Sequence, residues 1–362
     1  MTVCHHGLSV RRGRTSLDCE KRARVRQVIV RSAGVVDIVE AEVPNPGPGE
    51  VRVRSAVVGI CGSDLHALAG EHPFIDLPYS PGHEVVGVVD ALGPGATGPA
   101  VGERVLLEPN LVCGHCSYCV SGRYNLCEVL AVVGCQTAGG MADAFVAPAS
   151  RFHVVPEGMS DAQAALVEPM STAMHAVRVA GDLVGRRVAV LGGGSIGLLT
   201  LVAANKSGAA MVAVTEPIEP KRELALRLGA DLAIDPTSDD AVGELRRAFA
   251  GRADVVFDCV SSQTSITQAI SLAEKGGSVI VVGVAAHDVT IPLSIVQDRE
   301  IRLEGSAMYT AQDVRAAMGL VGGASFPAND LVTATLPLDD AAQAFRLASG
   351  GDQVKVHVAV AR

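Results

Sequence analysis

Arg187-Val188-Ala189-Val190-Leu191-Gly192-Gly193-Gly194-Ser195-Ile196-Gly197 is the stretch that decides the fold. Arg187 to Leu191 reads as a short buried strand and Ser195 to Asn205 as the helix after it. Between them Gly192, Gly194 and Gly197 form G-x-G-x-x-G. The first glycine permits the turn, the second lets backbone N–H groups approach a pyrophosphate, and the third lets the helix close on the strand. Ser195 and Ile196 open the helix, whose N-terminus adds partial positive charge, and they join the glycines as candidate dinucleotide contacts. The triplet alone is a weak signal. Its position between strand and helix gives it meaning.

Downstream, Met211 to Thr215 reads as a second strand and Glu219 to Leu228 as a second helix. Glu216 closes that strand, 19 residues past Gly197, where a carboxylate would accept hydrogen bonds from the adenosine ribose. That favours NAD over NADP, because a 2′-phosphate would meet like charge; the plainer alternative is an exposed loop acid. Lys221 and Arg222 lie close by and either flank the adenosine or support a 2′-phosphate, and Lys221 is kept as a candidate contact. Further strands are expected at Asp231 to Ile234, Val255 to Cys259, Ser278 to Gly283 and Ile301 to Gly305. This alternation is that of an α/β doubly wound parallel sheet.

Upstream the texture changes. Val51 to Ile60 and Val85 to Leu92 are rich in β-branched residues and separated by Pro and Gly turns, which predicts a compact antiparallel β domain. The chain of 362 residues exceeds what one core usually organises. We expect a catalytic domain over 25–170 and 307–362 and a nucleotide-binding domain over 171–306. Residues 1–24, with Arg11, Arg12, Arg14, Lys21, Arg22 and Arg24 and no apolar run, read as a disordered extension ahead of a fold that begins near Val25.

A net charge of -9 without clustered Lys and Arg argues against a nucleic-acid surface. The longest apolar runs, such as Ser278 to Ala286, are far shorter than a membrane span, so the reading is a soluble, cytoplasmic protein with no membrane partner.

Four of the nine cysteines, Cys113, Cys116, Cys119 and Cys127, share one short loop. Four thiolates at that spacing suit a closed tetrahedral zinc with sulfur at about 2.3 Å. A pair of disulfides is the alternative, and His115 inside the loop competes poorly. A second constellation comprises Cys61 in Gly59-Ile60-Cys61-Gly62-Ser63-Asp64-Leu65-His66, then Gly82-His83-Glu84, then Glu168 before Pro169. Thiolate, imidazole and carboxylate could hold zinc with one position open, as catalysis requires. Taken singly, the cysteine could equally be buried filler, the histidine a satisfied polar residue and Glu168 a helix cap.

In combination and order these motifs resemble the zinc-containing medium-chain dehydrogenase/reductase family over essentially Val25 to Arg362. The resemblance implies a GroES-like β-rich catalytic domain joined to a Rossmann domain. Glu168, where many simple alcohol dehydrogenases carry cysteine, is similar to the sorbitol, butanediol and threonine dehydrogenase branch. Gly305-Ser306-Ala307-Met308-Tyr309-Thr310 is similar to that branch's segment near the substrate pocket, with Ala307 and Met308 where many relatives are bulkier or basic.

The resemblance further implies Cys61, His83 and Glu168 as direct ligands of a catalytic zinc, with Glu84 beside the metal as a second or transient ligand. Asp64 would accept a hydrogen bond from His83 and fix its tautomer. Ser63 would touch the substrate oxygen, and His66 would receive its proton and pass it to solvent. Two zinc ions per chain and NAD are the implied cofactors, and a homo-oligomer, tetramer or dimer, is the implied assembly. The reaction implied is oxidation of a secondary alcohol, of polyol or vicinal-diol type, to a ketone by hydride transfer. An amino-alcohol or aminocyclitol dehydrogenase on the same scaffold is the enzymatic rival. A non-catalytic nucleotide-binding regulator is the rival from another class, and the full ligand set argues against it.

Overall fold

The computed structural model describes residues 24–360, so the extension expected over 1–24 lies outside them except for Arg24, which already belongs to a strand. β1 (Arg24–Ser32) and β2 (Val35–Glu42) form an antiparallel hairpin. β3 (Glu50–Ile60) follows, with Val51, Val53 and Val58 fully buried, and Cys61 comes directly after it. Cys61 caps the helix α1 (Gly62–Ala69): the Asp64 carboxylate accepts a bond of 2.9 Å from the Cys61 N–H, which fixes the sharp turn from strand to helix.

β4 (Glu84–Leu92), β5 (Arg104–Leu107), the short pair β6 (Asn110–Leu111) and β7 (Ala131–Val132), then β8 (Ala144–Pro148) and β9 (Phe152–Val154) complete the first half of the chain. The long helix α2 (Val167–Ala180) then crosses to a second layer. That layer is a six-stranded, all-parallel sheet built from β10 (Arg187–Leu191), β11 (Met211–Thr215), β12 (Leu232–Ile234), β13 (Ala253–Asp258), β14 (Ala273–Val281) and β15 (Arg302–Gly305). Its order is β12-β11-β10-β13-β14-β15, the doubly wound arrangement whose crevice opens at the carboxyl ends of the strands. α3 (Ser195–Lys206) joins β10 to β11 and α4 (Glu219–Arg227) joins β11 to β12. β14 begins at Ala273 rather than Ser278, because Ala273 pairs with Ala253 ahead of a register shift that Glu274 to Gly277 absorb.

α5 (Ala311–Val321) leads back to the first layer, where β16 (Val332–Pro337) and β17 (Lys355–Ala359) finish a seven-stranded sheet of order β16-β17-β3-β4-β5-β9, with β8 pairing the first half of β3, Glu50 to Arg54, where β17 pairs its end. The junction between layers is apolar. Val86 and Leu106 of the first sheet join Met170, Ala173 and Val177 of α2, and these join Val188 and Leu198 of the second, in one continuous core. Both α2 and the segment from β15 to α5 cross that junction, and they carry Glu168 and Tyr309. No helix among the described residues is long and apolar enough to cross a membrane.

Candidate active site

At the end of β10 the chain turns at Gly192, whose φ of +96° lies in the region an L side chain resists. A Cβ on Gly197 would stand 1.8 Å from the Gly192 carbonyl oxygen, so only glycine lets α3 pack so close to the turn. The space over Gly194 is open, and no side chain caps the first turn of α3, so the N–H groups around Ser195 and Ile196 are left for a ligand. Glu216, buried at the tip of β11, accepts from Gly193 N at 2.8 Å and from Ile218 N at 3.0 Å. It therefore braces the glycine turn as well as facing the crevice. Arg222 Nη1 donates to the carbonyls of Glu216 and Pro217, at 2.8 and 2.7 Å, and Lys221 is buried. This donor set fits a dinucleotide.

The metal-ligating atoms of Cys61, His83 and Glu84 lie within 4.8 Å of one another. They come from the cap of α1 and the start of β4. Gly82, with φ +112° and no room for a Cβ against Met141 N at 2.3 Å, turns His83 inward, and a Cβ on Gly59 would collide with Glu84 Oε2 at 1.8 Å. His83 is buried and its Nδ1 has no hydrogen-bond partner, a costly state that a bound cation and a rearranged Asp64 contact would relieve. Thiolate, imidazole and carboxylate are the donors zinc takes, and these residues fit it.

Two placements differ from the sequence expectation, those of Glu168 and Asp64, while Glu84 joins the 4.8 Å group as expected. Glu168, expected as a direct ligand, is outside that group. Glu168 sits buried in the first turn of α2, where its Oε1 accepts a 2.5 Å hydrogen bond from the Tyr309 hydroxyl. Burial pushes its carboxyl up to about 7, the kind of shift a neighbouring cation reverses. Asp64 stands 4.0 Å from His83 Nδ1, beyond hydrogen-bond reach, because its oxygens are taken by Cys61 N at 2.9 Å and by the Tyr79 hydroxyl at 3.0 Å. Ser63 and His66 lie three residues apart on α1, the first half-buried and the second exposed, so they face the same side.

Two residues without a motif also belong here. Lys355 of β17 donates to both oxygens of Glu84 and to the Ile60 carbonyl, and the Cys135 thiol contacts His83. Neither carries a spacing signal, since one opens the strand β17 and the other sits in a glycine-rich loop.

Cys113, Cys116, Cys119 and Cys127 form the second cluster, again within 4.8 Å, and all four are free thiols rather than disulfides. Cys113 N points at Cys127 Sγ at 3.3 Å and Cys116 N at Cys113 Sγ at 3.4 Å. Backbone N–H groups, that of Glu128 foremost, hold the Cys116 thiol down at about 6, which favours the thiolate a zinc ion needs. The exposed His115 turns back to its own loop at Cys113 O, 3.0 Å away.

Comparison with known proteins agrees with this architecture. Residues 47–157 match the alcohol dehydrogenase GroES-like domain and residues 195–322 the zinc-binding dehydrogenase family. Sorbitol dehydrogenase of Gallus gallus is 32% identical over 91% of this chain and 94% of its own. A zinc-binding dehydrogenase target from Sinorhizobium meliloti, solved with NADP, superposes with a TM-score of 0.86 at 32% identity over 93% of this chain and all of its own. An alcohol dehydrogenase from Escherichia coli CFT073, solved with NADH, gives 0.87 at 27% over 93% and 99%. The chain belongs to the zinc-containing alcohol dehydrogenases of the medium-chain dehydrogenase/reductase family, with a GroES-like layer and a Rossmann sheet.

Proposed function

We propose that this protein oxidises a secondary alcohol of polyol or vicinal-diol type to a ketone, with zinc and with NAD as hydride acceptor. The observation that carries the reading is the convergence of Cys61, His83 and Glu84 beside a helix that presents Ser63 and His66 on one side. A zinc ion held there supplies Lewis acidity at the substrate oxygen. Cys61, His83 and a carboxylate from Glu84 or Glu168 would hold it, and Asp64 orients the loop that carries Cys61. Ser63 Oγ takes the alcohol proton and His66 hands it to solvent. The four cysteines of the 113–127 loop hold a second zinc. The Gallus gallus relative acts on sorbitol by its name, which supports the polyol class.

NAD is favoured by Glu216, whose carboxylate would repel a 2′-phosphate, and by Arg222, already engaged with backbone carbonyls. One relative bound NADP and another NADH, so the preference rests on these two residues. The catalytic domain spans 25–170 and 307–362 and the nucleotide domain 171–306. We further expect a cytoplasmic homo-oligomer, dimer or tetramer. The test is a panel of sugar alcohols, vicinal diols, amino alcohols and primary alcohols with each nucleotide, followed at the nicotinamide absorbance, with zinc counted per chain. Diol-dependent NAD reduction with two zinc ions is expected. Preference for primary alcohols, for amines or for NADP overturns the corresponding part.

A further inference from the structure

The loop of four cysteines is tied to the segment from Ala307 to Ala311 by three side chains at its base. Asn110 Nδ2 donates to the Tyr309 carbonyl at 2.8 Å, and Asn125 Nδ2 donates to the Ala307 carbonyl at 2.9 Å. The Tyr124 hydroxyl accepts from Ala311 N and donates to Glu108 at 2.7 Å. Glu108 is itself buried and also held by Arg151 and His153, at 3.0 and 2.8 Å, so the Tyr124 hydroxyl is anchored from behind. Asn110 and Asn125 are both buried, and the Asn110 bond to the Tyr309 carbonyl is screened from water.

Between the clamped carbonyls sits Met308, a non-glycine residue at φ +49°. A side chain in that region is strained and persists only where its surroundings over-determine it. The clamps on either side do so. They aim Tyr309, which is 1% exposed, so that its hydroxyl meets Glu168.

We propose that Asn110, Tyr124 and Asn125 are positioning residues for the catalytic metal site, acting on Glu168 through the clamped 307–311 segment and Tyr309. The proposal rests on the reading of Glu168 as a ligand. Within the loop only Asn125 and Cys127 are buried, so apolar packing contributes little to its shape and the four sulfurs and their ion dominate. The loop is thereby a lever on chemistry as well as a fold staple. It sets how firmly Tyr309 retains Glu168, and hence whether that carboxylate would be free to hold the metal beside Cys61 and His83.

The test uses enzyme carrying zinc in the four-cysteine loop and cobalt(II) at Cys61 and His83, read by the visible cobalt bands together with kcat, KM and melting temperature. Tyr309→Phe and Asn125→Asp, which keeps the shape but not the donor, should each shift the cobalt bands and lower kcat roughly tenfold, the scale of one hydrogen bond to a charged group. KM for NAD should be unchanged, and the double variant should be no worse than the single ones, since both act through one segment. Tyr124→Phe is the milder probe should Asn125→Asp fail to fold. Glu168→Gln separates the two readings. If it shifts the bands while Asn125→Asp and Tyr124→Phe do not, the lever is overturned and Glu168 remains a ligand. Should Glu168→Gln itself leave the bands unmoved, both fall.

Discussion

Lys355 Nζ stands 2.6 Å from Glu84 Oε1 and 2.9 Å from Oε2, with both side chains sealed from solvent. The pair connects the C-terminal strand to the metal cluster. Burial pushes the Lys355 amine down, but the charge of Glu84, followed by that of Cys61, outweighs it and holds the amine above its ordinary value. Because the ammonium satisfies both oxygens, Glu84 can share the site with a cation without standing as an unpaired buried anion.

Lys355→Met should therefore destabilise the fold by about 3–5 kcal/mol, since it leaves the Glu84 charge buried without a partner. Denaturant midpoints check this. Lys355→Met, Glu84→Gln together should recover much of the loss, because no lone charge then remains.

Ser63→Ala should lower kcat about a hundredfold or more, in line with removing a positioned proton-transfer group, while NADH binding by fluorescence titration stays unchanged. His66→Gln should cost less, because the exposed histidine hands its proton to water that can replace it. Near-normal turnover of the Ser63 variant would take that hydroxyl out of the proton path.

Glu216→Ala removes both the brace on Gly193 and the repulsion of a 2′-phosphate. The ratio of kcat/KM for NAD to that for NADP should fall at least about tenfold, the worth of hydrogen bonds from ribose hydroxyls to a carboxylate. An unchanged ratio in steady-state assays would show that Glu216 serves the turn alone.

Asp313 is buried, which by itself would raise its carboxyl, yet Arg178 and His175 hold it well below the usual carboxylate range. Its folded value lies under its unfolded one, so the stabilisation is complete above about pH 4 and is lost as pH falls below that value. Wild type should exceed Asp313→Asn in stability at pH 7, and urea midpoints of the two should converge as the medium is acidified toward pH 2.

Much of this protein was legible in its residues because the signals are local. β10 and β11 run over Arg187–Leu191 and Met211–Thr215, the bounds that apolar run and glycine turn mark, since a parallel strand buried on both faces must be continuously apolar. The four thiols are neighbours in sequence, so chain connectivity alone brings them together. Cys61, His83 and Glu84 could be named from their motifs, but their approach to within 4.8 Å needed β3 and β4 to pair with Gly59 opposite Glu84.

Which carboxylate joins Cys61 and His83 was decided by tertiary structure alone. Tyr309 reaches Glu168 across 141 residues and Lys355 reaches Glu84 across 271, contacts that no periodicity or spacing encodes. The same is true of Asp64, whose oxygens go to Tyr79 and a backbone N–H instead of His83. Residue type and spacing settled which chemistry is present. The hydrogen-bond competition that distributes it is an energy balance among side chains that meet only after the two layers have packed.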